Sequence, residues 1–282
     1  MEAARRPRRR TKAALAVLLA VFGAGCSVNS AKKHYVLAEK LWTDGKYSAS
    51  VAEFEKVTAR DPKGKLGLQA LLRGATTQSL FLSEYPGALK KFRTFTETSD
   101  DPTMVWETQK QIGEILFSKL EAYDQAETHY QLLLQQHPDA PEAPEFMFRV
   151  GRSQFYQWHF DDAVKTDTEL ARKYPATPWG EKAALEIGRA YFTRGEQSPG
   201  DHGPGMEQYK LATEAYEKFI KSYPESPLVA EAKFGIANCL EEQDQLDAAY
   251  NSYEALKASY PSPNVIEIKL ARIRERKAQR SR

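Results

Sequence analysis

Catalysis needs nucleophiles, metal ligands or proton carriers at set spacings, and this sequence offers few. Its five histidines are His34, His129, His137, His159 and His202. None stands in an H-E-x-x-H arrangement, and no G-x-S-x-G turn, P-loop or G-x-G-x-x-G fingerprint occurs. Asp201-His202 is the one acid–imidazole pair in a segment that reads as an exposed loop, and a polar turn accounts for it. Asp161-Asp162 opens a helical stretch, where the helix dipole favours acids. Only two cysteines are present, Cys26 and Cys239, which excludes a disulfide framework and a cysteine metal cluster. Cys239 falls in a helical pattern and reads as a small buried apolar residue. The expectation is no catalytic residue, no metal site and no cofactor.

Cys26 is different because of what precedes it. Arg5, Arg6, Arg8, Arg9, Arg10 and Lys12 lead into an apolar run over 13–22, followed by Gly23, Ala24 and Gly25. A basic start, a short apolar run and small residues make an export signal over 1–25, too short to span a bilayer. The junction resembles a bacterial lipobox, which implies that Cys26 is lipidated and becomes the mature N-terminus, with 26–30 as a tethered linker. A lone thiol at an exposed, oxidising terminus is otherwise a liability. More than one acyl chain would anchor the protein stably. Ser27 follows; among bacterial lipoproteins a residue other than aspartate there implies the outer membrane, with the chain on its periplasmic face.

The chain has 282 residues, 41% hydrophobic and 28% charged, as in globular proteins. Its formal charge of +2 conceals an uneven distribution. Residues 1–25 carry six basic side chains against Glu2, and residues 269–282 carry seven against Glu275, so the body between them is −9. A nucleic-acid binder would place its positive charge on the folded face instead.

The body is organised by a repeat. A large residue recurs at Tyr47, Tyr85, Tyr123, Phe160, Tyr209 and Leu246, at intervals of 38, 38, 37, 49 and 37. Three positions on stands a small residue each time: Ser50, Ala88, Ala126, Ala163, Ala212 and Ala249. Four further on come Phe54, Phe92, Tyr130, Asp167, Tyr216 and Tyr253, with Asp167 the one break. Prolines 62, 102, 138, 175, 224 and 261 close each unit. A second small residue lies upstream at Ala38, Gly113, Gly151, Gly188 and Ala237, with Thr76 the loosest fit. Small residues on both helices of a hairpin let the backbones approach while large neighbours interlock. A period of this length means stacked hairpins. The long interval holds an insertion over 194–208, read as a loop because its Gly/Pro-rich centre cannot be helical. Asn264 and Glu267 have capping-box spacing, and Ile266, Leu270 and Ile273 share one face, so 263–282 reads as a basic capping helix.

This pattern resembles the tetratricopeptide repeat over 31–262. The resemblance implies an all-α, right-handed superhelical solenoid of about six helical hairpins. In that repeat the first helix of each hairpin lines the concave face. The positions this implies for binding a peptide or partner are Tyr35, Glu39, Trp42, Phe81, Glu114, Phe117, Phe148, Arg152, Phe155, Tyr156, Arg189 and Phe192. The leader, Cys26 and repeats such as Tyr223-Pro-Glu-Ser-Pro227 together resemble the BamD (YfiO) family of outer-membrane lipoproteins. That implies a non-enzymatic scaffold whose partners are barrel-assembly subunits and unfolded outer-membrane proteins. Two other roles share the same features: a pilotin for a pilus or secretion channel, and a periplasmic cell-envelope adaptor.

Overall fold

The computed structural model describes residues 29–197 and 204–280, and all regular structure among them is helical. The export signal, Cys26 and the Asp201-His202 pair lie outside the described residues.

The chain divides into two compact units, 1–121 and 122–282. In the first, α1 (29–43) pairs with α2 (Tyr47–Arg60), and α3 (Lys65–Thr77) with α4 (Tyr85–Thr98). α5 (Pro102–Glu114) packs on α4. Both α3 and α5 run on into a π-helical turn, Gln78–Leu82 and Ile115–Lys119. In the second unit, α6 (Tyr123–Gln136) packs on α7 (Ala143–Tyr156), which pairs with α8 (Phe160–Lys173). α9 (Pro178–Glu196) pairs with α10 (Pro204–Ser222), and α11 (Val229–Glu242) with α12 (Leu246–Leu256). α13 (Pro263–Arg280) closes the array against α12.

Helix starts follow from local chemistry. Asp101 accepts hydrogen bonds from the amides of Thr103 and Met104, both at 3.0 Å, and Thr177 Oγ1 accepts from Gly180 N at 3.0 Å. Proline opens α5, α9 and α13, where its fixed φ is already helical. α13 therefore starts at Pro263, one residue before the Asn264 of the expected capping box, and Glu267 pairs instead with Lys257 at 2.9 Å. Within hairpins, the turn carries a left-handed residue two positions before the second helix, at Gly45, Ser83, Trp158 and Asp244, and Glu121 holds the same position in the sequence before α6.

The repeat's small residues sit where the helices touch. Ser50, Ala88, Ala126, Ala163, Ala212 and Ala249 are all 0% exposed. Ser50 Oγ also donates to Ala38 O at 2.8 Å, tying α2 to α1. The large residues one turn on, Phe54, Phe92, Tyr130, Tyr216 and Tyr253, are buried beside them, each contributing about 1.5–3 kcal/mol. Thr76 is a poor fit because the π turn that follows inserts one residue, and Ala75, 0% exposed, takes the buried place. The insertion is only partly a loop. α9 and α10 extend into it from both sides, and each is 19 residues long against 14 for α7 and α8.

Candidate functional site

On the first unit, the first helices of two hairpins bring part of the expected face together. Arg73 on α3 donates to Glu39 on α1 through Nε at 3.0 Å and Nη2 at 2.9 Å. The guanidinium lies over the Trp42 ring, 4.9 Å from its centroid. Trp42 meets Phe81 edge-on at 5.6 Å, and Phe81 stacks on Tyr47 at 4.4 Å. Phe81 remains 44% exposed. Tyr35 instead points into its hairpin, half-buried edge-on against Phe54. Burial first, and Glu39 second, push the Tyr35 phenol above its ordinary value. Glu114 is exposed and Phe117 half-buried. The two π turns line a shallow cleft of about 290 Å³ with Leu80, Ile115, Glu114 and Lys119.

On the second unit, a charged ladder runs across three successive first helices. Arg152 on α7 donates to Glu186 on α9, Glu186 also accepts from Arg189 at 3.0 Å, and Arg189 reaches Glu231 on α11. Arg152 also lies over the rings of Phe155 and Tyr156, at 4.6 Å from each centroid. Tyr156 stacks on Tyr123 at 4.5 Å. Phe148 packs against Trp179 at 5.3 Å, and Phe192 against Tyr209 at 5.5 Å. Arg152 and Glu186 are mostly withdrawn from water, so this row works as much to fix one repeat against the next as to meet a ligand.

Arg73, Glu186 and Glu231 are not among the residues the sequence marks, and Tyr47 and Tyr123 are marked there only as repeat anchors and not as part of the face. A signal for two of them was present. Glu39 and Arg152 each follow the small residue of their helix, and each pairs with a residue 34 positions on. Opposite charges one repeat apart on first helices were therefore readable. A groove of about 770 Å³ between α8 and α10, floored by Ala184, Ile187 and Tyr191, gave no such signal. Small side chains, Ala171 and Ala215 among them, open its walls.

Asp167 explains the break in the repeat only in part. It is 2% exposed, lies against Gly151 where other hairpins carry an aromatic ring, and its Oδ1 has no hydrogen-bond partner. Burial above all, then Glu186, drives its carboxyl well above the usual range, against the pull of Arg152. A carboxyl whose folded pKa is raised by burial destabilises the fold at neutral pH, and stability returns as pH falls from that value toward the unfolded one. Asp167→Asn keeps the shape and removes the charge. It is expected to raise stability at pH 7 by about 1–3 kcal/mol and to flatten that gain in acid, as read by denaturant titration across pH.

Of the histidines, His34 hydrogen-bonds Glu53 through Nδ1 at 2.6 Å, and His159 is exposed at the start of α8. Cys239 is fully buried, and burial pushes its thiol up to about 12. Among the described residues no group of three or more His, Cys, Asp or Glu side chains could hold a metal ion, and no helix is long and apolar enough to cross a membrane.

Residues 182–226 and 205–262 each match a tetratricopeptide-repeat family model. No curated protein matches the sequence. Among solved structures, a tetratricopeptide repeat protein from Parabacteroides merdae ATCC 43184 is similar at 12% identity and a TM-score of 0.53, covering 90% of this chain and 89% of that one. Naa15/Naa10 bound to HypK-THB is similar at 14% identity and a TM-score of 0.59, covering 94% of this chain and 36% of that one. PilW, a widely conserved type IV pilus biogenesis factor, is similar at 18% identity and a TM-score of 0.50, covering 86% and 97%. Identities this low speak for fold and not for partner. Residues 182–262 are thus tetratricopeptide repeats, and the helical array to which they belong has the fold of tetratricopeptide-repeat proteins.

Proposed function

We propose that this chain is a non-enzymatic scaffold that holds segments of other proteins against the first helices of its hairpins. The observation that carries this reading is the partly exposed aromatic row with charges set into it. Arg73, paired with Glu39, lies over Trp42, which adjoins Phe81 and through it Tyr47 on one unit, and Arg152 lies over Phe155 and Tyr156 on the other. Aromatic and arginine side chains supply most binding energy at protein interfaces. Tetratricopeptide repeats present such faces to peptides and partner helices.

The finer reading is that it works as an outer-membrane lipoprotein of BamD type, tethered through Cys26 on the periplasmic side. The leader, the position of Cys26 and the related segments Tyr174-Pro-Ala-Thr-Pro178 and Tyr223-Pro-Glu-Ser-Pro227 support it. Its partners would then be barrel-assembly subunits and unfolded outer-membrane proteins. Palmitate is expected to label the wild-type chain and not Cys26→Ser. Crosslinking of the anchored form should recover the barrel-inserting subunit, and depletion should lower outer-membrane barrels generally. Loss of pili or of one secretion channel alone would favour the pilotin role instead. An unlabelled wild-type chain would remove the anchor from the proposal.

A further inference from the structure

The outward side of α1 carries two apolar side chains framed by lysines. Its inward side is fixed by Ala31 and Ala38, both 0% exposed and packed with Phe54, Val57 and Ala70. At about 3.6 residues per turn, Lys32, Lys33, Val36, Leu37 and Lys40 fall on one continuous arc away from that contact. All five are exposed, Val36 by 61% and Leu37 by 43%. The three lysines have no hydrogen-bond or ion-pair partner among the described residues. The one acid of α1, Glu39, lies at the edge of the arc and is held by Arg73 on α3. The chain from 26 to 268 is −9 overall, so three unmatched lysines on one arc run against its general character.

Chemistry and position together say what covers this arc. Lysine stems around an apolar pair suit a helix lying in the interface of an anionic bilayer. The apolar side chains enter the acyl boundary, and the ammonium groups stay among the headgroup phosphates. Position gives the second argument. α1 starts at residue 29, three residues after Cys26, and three residues of chain reach at most about 10 Å. With a lipid on Cys26, the arc therefore begins within about one Debye length of the headgroups, where their charge is still felt.

We propose that the lysine-framed arc of α1 docks on an anionic lipid surface beside the tether. This rests on the Cys26 anchor of the finer reading and adds to it a second membrane contact, made by the folded chain itself. A single acyl chain holds a protein only marginally, so such a contact decides whether α1 stays at the bilayer or swings free of it.

The test supplies the tether by chemistry, so its outcome is separate from whether cells lipidate Cys26, which palmitate labelling answers. Cys239 is fully buried, so a maleimide bearing one myristoyl chain is directed to Cys26 of the purified mature protein. Partition into vesicles is then read by co-sedimentation. Wild type should bind vesicles with about a third phosphatidylglycerol about a hundredfold more strongly than pure phosphatidylcholine vesicles. Changing Lys32, Lys33 and Lys40 together to Gln should bring binding down near the phosphatidylcholine level. Val36→Gln with Leu37→Gln should weaken binding to both vesicles severalfold. All these positions are exposed, so the melting temperature should not move. As a control, Lys165, Lys218 and Lys221, exposed on α8 and α10, are changed to Gln and should leave partition unaltered. Equal partition of wild type into the two vesicles, wild-type binding by the α1 lysine variant, or an equal loss in the control would each overturn the proposal. So would dimerisation of the untethered chain that Val36→Gln abolishes, which would make a second copy the occupant of this arc.

Discussion

Glu241→Leu is expected to release α13 from the end of the array and to lower stability by about 2–4 kcal/mol. Glu241 is 0% exposed, yet it accepts hydrogen bonds from Tyr253 at 3.0 Å, Lys269 at 3.3 Å and Arg272 Nε at 2.6 Å. Leucine would leave the Tyr253 hydroxyl with Asn238 alone, at 2.6 Å, and deprive three cations, Lys269, Arg272 and Arg276, of their buried partner. Hydrogen exchange should show protection lost first over 263–280. The apolar face of Ile266, Leu270 and Ile273 would remain, so the cap loosens before the rest unfolds. Acid should act in the same way. Burial alone would raise the Glu241 carboxyl, but its bonds to Arg272, Lys269 and Tyr253 outweigh burial and hold it below the usual value of 4.5. A lowered folded pKa gives stability that is complete above about pH 4.5 and is lost as pH falls through the folded value. Glu241→Gln should abolish that acid dependence of the cap.

Gly188→Leu should be at least as damaging. A β-carbon at Gly188 would lie 2.5–2.8 Å from three ring atoms of Tyr216. The ring has little room to retreat, because its other edge lies against Gly235 on the following helix, so closely that a β-carbon there would fall 2.5 Å from it. Overpacking of this kind costs about 3 kcal/mol or more. The melting temperature of the second unit should fall by about 6–12 °C. Combining Gly188→Leu with Tyr216→Ala should recover part of the loss, so the pair is more stable than the sum of the two single changes by over about 1 kcal/mol. Simple additivity would show that the two helices are not held apart by this ring.

The hairpins were legible because their contacts are made by residue types that tolerate no substitute. A side chain larger than serine at position 50, 88, 126, 163, 212 or 249 would separate the helices, so the small residues announce the period. The basic tail was legible as a cap for the same reason. What it gained from the structure is its acidic counterpart: Arg276 and Arg280 reach Asp244, and Lys277 reaches Asp247. The candidate face was less readable. Tyr35 and Phe192 share helical spacing with exposed positions, yet they are half-buried against Phe54 and Tyr209. Spacing along one helix does not say which neighbour covers it. Glu39 and Arg152 show no partner when read within one repeat, because their partners lie in the next one. The insertion was misjudged at its edges, since glycine and proline at its centre conceal that the flanking residues continue as helix.

The two π turns bear on how such a chain changes length over generations. Hairpins that contain one span 38 residues between successive anchors, and the following hairpin, without one, spans 37. The surplus residue is swallowed inside a single turn, and Ala75 and Gly113 remain buried at the contact. A codon gained there leaves every later anchor in step with its neighbours, so the array can vary its count without losing its register.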